Sequence, residues 1–116
     1  MHQPDLKKRT KKFALDAIKL VGTLPRNSAG YVLGNQLLRS ATSVAANYRS
    51  ACRGRSKAEF IAKLGVCNEE ADESMLWFEL LIESETANNS ESLRLLKEAD
   101  ELTAIFTASL KTSKGI

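Results

Sequence analysis

Few residues of this 116-residue chain could carry catalysis or hold a metal ion. The only histidine is His2, which excludes most histidine-dependent catalysis and every metal site built from several histidines. Carboxylates cluster at Glu69, Glu70, Asp72 and Glu73, but one helix would carry all four, whereas a dinuclear site takes ligands from facing helices. The sequence also has no glycine-rich phosphate loop and no nucleophile elbow. We therefore expect no enzyme activity, no cofactor and no metal.

The two cysteines, Cys52 and Cys67, match no zinc motif and have no histidine partner. The helices predicted below separate them by about 15 Å along a hairpin, and a disulfide needs Cα atoms within about 7 Å. Both fall on apolar faces, so we interpret them as small core residues with free thiols. Free thiols are typical of a reducing compartment, and we expect a cytoplasmic protein.

The basic residues offer a different chemistry, the binding of phosphate groups. Residues 1–57 hold 12 Lys and Arg against two acids, whereas residues 58–116 hold five Lys and Arg against 12 acids. So uneven a distribution favours binding of a polyanion or pairing between copies of the chain. Mutual neutralisation of the two halves within one fold is the alternative that stays open.

The elements that must position these residues are helices. Apolar residues recur every three or four positions through nearly the whole chain and predict helices at about 5–22, 28–53, 56–86 and 91–113. Short turns separate them, with a capping box from Ser56 to Glu59 and Ser90 as the cap of the last helix. The pattern turns Ile18, Cys52 and Leu93 inward along with the larger core residues.

Helices joined by short turns pack as antiparallel neighbours, so we predict an all-α, up-down-up-down four-helix bundle. The bundle forms a single domain over residues 1–116, and no stretch approaches the roughly 20 apolar residues of a membrane span.

In such a bundle the first helix begins at the end where the second helix finishes and the third begins. Two groups of cations meet there, and we predict that they bind nucleic-acid phosphates: Lys7, Lys8, Arg9, Lys11 and Lys12 with Arg53, Arg55 and Lys57. Binding of this kind depends strongly on salt and little on sequence. Aromatic residues are nearly absent there, so we expect no reading of single-stranded bases.

The segment 75–82 of the third helix carries more apolar residues than one core face can bury. Leu76 and Leu80 point well away from that face, and Trp77 points almost opposite to it. An exposed patch of this kind favours a partner surface, for which we expect a second copy of the chain. The alternative is that the neighbouring helices wrap the third helix more fully.

A line of arginines on the second helix could belong to the same interface. Arg39 and Arg49 lie beside the small residues Thr42 and Ala46, which permit close approach. We predict that these arginines pair with carboxylates of a neighbouring copy, Glu69 and Glu73 of the third helix. Phosphate contact and an ordinary solvated face are the two alternatives.

The central stretch resembles the bacterial 23S rRNA intervening-sequence protein family, also called the S23 four-helix-bundle family. The resemblance covers roughly residues 5–110. It rests on Leu24-Pro25, on 31–41 (YVLGNQLLRSA), on 43–48 (SVAANY) with Ala51, on the 53–60 turn with Lys63-Leu64, on 69–74 (EEADES) and on Trp77.

The family is similar to the accessory variability proteins of diversity-generating retroelements, barrel-like homopentamers that bind nucleic acid and a reverse transcriptase. The resemblance thus implies a homo-oligomeric ring of five subunits, and it implies nucleic-acid binding or a reverse-transcriptase partner more weakly. We expect a non-enzymatic bundle that binds RNA or DNA backbone. A scaffold that docks another protein and touches no nucleic acid is the alternative.

Overall fold

The chain folds into the predicted bundle of four antiparallel helices. The computed structural model describes residues 6–115, so His2 lies outside the described part. The helices are α1 (Leu6–Val21), α2 (Ser28–Cys52), α3 (Lys57–Glu83) and α4 (Ser90–Lys114). Each helix packs on the next in chain order, and α4 completes the bundle through a much less extensive contact with α1. None of these helices is both long enough and apolar enough to cross a membrane.

Side-chain caps fix where the helices begin. Asn27 accepts a hydrogen bond from the amide of Gly30, and Ser56 accepts one from the amide of Glu59, 3.1 Å away. The predicted capping box at Ser56 is only half formed, because the Glu59 carboxylate accepts from the amide of Arg55 instead. The cap of α4 is Asn89, one residue before the predicted Ser90.

The third helix ends three residues earlier than the sequence pattern predicts. It stops at Glu83, and the turn that follows places Glu85 at a φ of 60°, in the left-handed region. A left-handed residue cannot continue a right-handed helix. Ala87, which follows the turn, is buried, and its amide donates to the carbonyl of Leu81 and holds the turn against the end of α3.

The core is built around aromatic residues from three helices. Phe13, Phe78 and Phe106 are fully buried, and the rings of Phe13 and Phe78 meet edge to face with centroids 6.2 Å apart. Buried hydroxyls add a polar contact between α2 and α3, where Ser40 and Ser74 are hydrogen-bonded at 2.8 Å.

The prediction that Ile18, Cys52 and Leu93 face the core is wrong, because all three are exposed. In each case the preceding residue takes the core position, and a one-residue step turns a side chain by about 100°. Ser92 is one of these preceding residues. Its hydroxyl donates to the carbonyl of Ala87, which makes its burial tolerable and hides it from a pattern of apolar residues.

The first turn of α2 requires a glycine where it meets the loop from α1. A Cβ atom on Gly30 would collide with the backbone carbonyl oxygen of Pro25. A Cβ atom on Gly34 would come within 3.1 Å of the side chains of Val21 and Leu24. Small residues therefore let the end of α1 lie close against the first turns of α2.

Candidate nucleic-acid interface

The basic end of the bundle is the end at which α1 and α3 begin and α2 and α4 finish. As predicted, the connectivity brings the basic start of α1 to the last turns of α2. The cations do not form one even cap there. Most of them line a groove between α1 and α2 that continues over the turn into α3, and we call this the basic groove.

The first part of the basic groove is a recess of about 380 Å³ between α1 and α2. Six residues line it: Lys7, Thr10, Lys11, Ala45, Ala46 and Arg49. Its surface is mainly apolar, because two alanines and the aliphatic stems of the three cations form most of it. The hydroxyl of Thr10 donates to the carbonyl of Leu6, which leaves the cationic heads as the polar groups open to a ligand. We call this part the apolar recess.

The second part adjoins the first and is more polar. This recess of about 370 Å³ lies at the turn from α2 to α3, and we call it the polar recess. It is lined by Ala46, Arg49, Ser50, Arg53, Gly54, Arg55, Glu59 and Lys63. Among these described lining residues the acid is Glu59, whose carboxylate accepts a hydrogen bond from the amide of Arg55. Ala46 and Arg49 belong to both recesses, so the two form one continuous groove.

The six cations of the basic groove are Lys7, Lys11, Arg49, Arg53, Arg55 and Lys63. Within residues 6–115 none of them takes part in an ion pair. The groove therefore presents a net positive charge, with six cations against the carboxylate of Glu59.

Two of the predicted phosphate-binding residues lie elsewhere and already hold carboxylates. Arg9 makes a two-pronged contact with Glu98 of α4, with both N–O distances at 2.8 Å, and reaches Glu101 at 3.0 Å. Lys12 donates to Asp16 one helical turn away, at 2.9 Å. These side chains join α1 to α4 or to itself and do not enter the groove.

Of the remaining predicted phosphate-binding residues, some line the basic groove and others do not. Lys7, Lys11, Arg53 and Arg55 line the basic groove, whereas Lys8 and Lys57 are exposed beside it. The prediction missed Lys63, which lies more than one turn inside α3. Its position could have been found by folding the sequence about the α2–α3 turn, which brings residue 63 opposite residues 46–49.

Arg49 lines both recesses of the basic groove, although the sequence analysis placed it at an oligomer interface. Ala46 lies beside Arg49 in both recesses, and it is the small residue that was expected to permit close approach of another subunit. A small residue beside a cation equally makes room for a ligand. The structure describes one chain, so the interfacial role of Arg49 stays a prediction.

Arg39 lies near the middle of α2, remote from the groove, and is bound within its own chain. Its guanidinium contacts Glu70 at 3.3 Å and also Glu73, both on α3. Pairing with Glu73 was predicted between copies, and here it joins two helices of one copy. Glu69 is exposed and remains available to a partner.

The outward side of α3 carries the apolar residues that the sequence predicted there. Leu76 and Leu80 are 45% and 39% exposed. Trp77 differs from its prediction, because it is half-buried and packs against the core. Its indole nitrogen is buried without a hydrogen-bond partner. The neighbouring helices thus wrap part of the patch, as in the alternative interpretation, and leave two leucines uncovered.

The comparison with known families decides the classification. Residues 3–108 match the model of the 23S rRNA-intervening sequence protein. The chain belongs to this family. Among solved structures it is similar to a protein of unknown function from the S23 ribosomal protein family of Bacteroides thetaiotaomicron, with 31% identity and a TM-score of 0.83. That match covers 90% of this chain and 97% of the other. No curated protein matches the chain.

In this member of the 23S rRNA-intervening sequence protein family, burial holds two titratable groups of the core, Cys67 and Tyr48, in their protonated forms. Burial raises the pKa of the Cys67 thiol to about 12. Burial, together with the neighbouring Cys52, raises the pKa of Tyr48 to about 12. Over residues 6–115 no three His, Cys, Asp or Glu side chains are grouped so that they could hold a metal ion. The chemistry that the geometry supports is the binding of anions in the basic groove.

Proposed function

We propose that this protein binds the phosphate backbone of RNA or DNA through its basic groove and works without catalysis. The observation that carries the proposal is the alignment of six cations, unpaired within the described chain, along two adjoining recesses. A field of this kind attracts a polyanion, and neutralised phosphates release their counterions.

The residue types suit phosphate. The guanidinium groups of Arg49, Arg53 and Arg55 can each present two parallel N–H donors to phosphate oxygens, and the lysine ammonium groups act as point charges. Contacts of this kind fix the position of a strand without reading its bases. We therefore expect affinity without sequence specificity.

A titration at two salt concentrations tests the proposal. Wild-type protein is titrated into a labelled structured RNA and, separately, into a labelled DNA duplex, and binding is followed by fluorescence anisotropy. The test variant carries Arg53→Ala with Arg55→Ala. On the duplex it should bind more weakly, and its plot of log affinity against log salt should be shallower by about two units, one for each phosphate contact removed.

A charge-matched control separates the groove from the net charge of the protein. Lys19→Ala with Lys97→Ala removes two exposed cations from α1 and α4, outside both recesses. This control should retain the wild-type salt slope. Wild-type protein that binds neither nucleic acid at low salt would contradict the proposal, as would equal losses in the test and control variants.

The proposal includes self-association through the outward side of α3. Leu76 and Leu80 expose apolar surface between acidic residues, and cations of a second copy that lie outside the basic groove can offer the opposite charge. Apolar contact with complementary charge at its rim is the usual composition of a protein interface. Opposite faces that join in this way form head-to-tail contacts, which close into a ring when the rotation between successive copies divides a full turn evenly. The number of five subunits stays a prediction that rests on the family resemblance.

Light scattering at micromolar concentration measures the assembly. We expect a mass several times the 12.8 kDa of one chain, and Leu76→Ser with Leu80→Ser should reduce it. Leu93→Ser, at another exposed leucine on α4, is the control and should leave the mass unchanged. A wild-type mass near that of one chain would contradict self-association. Assembly without any nucleic-acid binding would favour the protein scaffold.

A further inference from the structure

The two recesses of the basic groove differ in character although they share a wall. The apolar recess has alanine methyl groups and methylene stems as its main surface, with cationic heads around it. The polar recess is dominated by arginine, lysine and backbone groups at the α2–α3 turn. Arg49 stands between them and can reach a ligand in either.

A continuous phosphate track would not need an apolar recess. Its volume of about 380 Å³ falls in the lower part of the range of small-molecule sites. The hydroxyl of Thr10 donates its proton to the backbone carbonyl of Leu6, so it offers no hydrogen-bond donor to a phosphate in the apolar recess. A flat, weakly polar group that carries a phosphate on a short tether fits the pair of recesses better, and a nucleotide has that composition.

We propose that the basic groove binds one unpaired nucleotide of a nucleic-acid strand, with its base in the apolar recess and its phosphate in the polar recess. This proposal rests on the proposed function and names the form of nucleic acid that the same groove prefers. In a duplex each base is stacked and paired, so only phosphates reach the protein and the apolar recess stays unused. A single strand, a loop or an overhang can use both recesses.

The expected preference is modest and independent of base identity. No aromatic side chain of residues 6–115 lines the apolar recess, so the base contacts aliphatic groups and the guanidinium plane of Arg49. Stacking on aromatic residues gives larger gains than contacts of this kind. We expect a flexible single strand to bind about tenfold more tightly than a duplex of equal length at the same salt concentration, near the lower end of measured stacking effects.

Three labelled probes of equal length test the proposal by fluorescence anisotropy: an unstructured single-stranded RNA, the blunt duplex of the same sequence, and a single strand in which abasic sites replace the bases. The abasic strand keeps its phosphates and its flexibility. Wild-type protein should prefer the single strand to the duplex about tenfold and should bind the abasic strand about as weakly as the duplex.

A variant that fills the apolar recess gives a second test. Ala45 lines the apolar recess and not the polar recess, so Ala45→Leu places a larger side chain in the apolar recess alone. Ala104→Leu makes the same change on the outer surface of α4. The first should lose most of the preference for the single strand, while the second should keep it.

Equal wild-type affinity for the single strand and the abasic strand would overturn the proposal and leave backbone binding intact. Absence of binding to all three probes at low salt would instead refute the proposed function itself. Unchanged preference in Ala45→Leu would also overturn the assignment of the base to the apolar recess.

Discussion

Arg9 offers a direct test of whether a basic residue near the groove serves the fold or the ligand. The sequence pattern groups Arg9 with the phosphate-binding residues, whereas the structure joins it to Glu98 and Glu101 of α4. The contact with Glu98 is two-pronged, and these carboxylates raise the pKa of the guanidinium despite its partial burial. Replacing Arg9 with alanine removes the charged link and leaves Glu98 without its partner.

The size of the effect follows from the exposure of the pair. Solvent-exposed ion pairs contribute about 1 kcal/mol or less, and stranding one partner of a buried pair costs about 3–5 kcal/mol. The side chains of Arg9 and Glu98 are 32% and 22% exposed, which places them between these limits. We expect Arg9→Ala to lower the free energy of unfolding by about 1.5–2 kcal/mol and the melting temperature by roughly 6–8 °C.

Urea unfolding measures this change in the free energy of unfolding. Four proteins are compared at one fixed concentration: wild type, Arg9→Ala, Glu98→Ala and the double variant. Fixing the concentration matters because any assembly adds to apparent stability. The double-mutant cycle should return a coupling of about 1 kcal/mol between Arg9 and Glu98. Lys8→Ala, an exposed neighbour, is the control and should change the stability by less than about 0.5 kcal/mol.

The affinity for nucleic acid completes the test. Arg9→Ala should bind RNA like the wild type under conditions in which both are folded, because Arg9 does not line the groove. Zero coupling to Glu98 would refute the structural role. A loss of affinity as large as that of Arg53→Ala would show that the sequence-based assignment of Arg9 to ligand binding was right.

Three further predictions concern acid stability, thiol reactivity and the glycines. Burial raises the pKa of Asp16, but its two cationic partners outweigh it and hold the pKa below its usual value. The resulting stabilisation is present above a pH of about 4 and is lost as the pH falls through the folded-state pKa. Acid titration of unfolding should therefore show a smaller stability loss for Asp16→Asn than for wild type. A thiol reagent should label Cys52 at once and Cys67 only on unfolding; equal rates would contradict the burial of Cys67. Chemical denaturation should show that Gly30→Ala lowers the free energy of unfolding by about 1–3 kcal/mol. Gly65→Ala should raise it by about 0.5–1 kcal/mol, because a Cβ atom at position 65 meets nothing within 4 Å. Equal effects of the two substitutions would refute the steric argument.

The fold was largely predictable because the helices are long and their turns are short. The period of the apolar residues gives the helix count, and short connections impose the up-down order. The error at Leu93 arose because a polar residue, Ser92, takes the neighbouring core position. Thr10 and Ser92 are buried because their hydroxyls find backbone carbonyls, a local geometry that hydrophobicity does not encode.

The candidate site was predictable as a region and less so residue by residue. Chain order alone brings the start of α1 to the end of α2. Which cations face the groove depends on the rotation of each helix, and on α1 a shift of two residues sends Arg9 towards α4 while Lys7 and Lys11 face α2. The carboxylates that hold Arg9 come from about 90 residues further along the chain, beyond the reach of any local pattern.

The thin contact between α1 and α4 gives the two walls of the basic groove unequal local stability. The α2 wall is embedded between two well-packed neighbours, whereas α1 is the shortest helix and has one broad partner. Partial opening of a protein begins with such weakly packed units, and a ligand that contacts both walls shifts the equilibrium back towards the closed form. The proposed occupancy of the groove would therefore couple to the docking of α1, and we expect a bound strand to increase the protection of the α1 amides from hydrogen exchange.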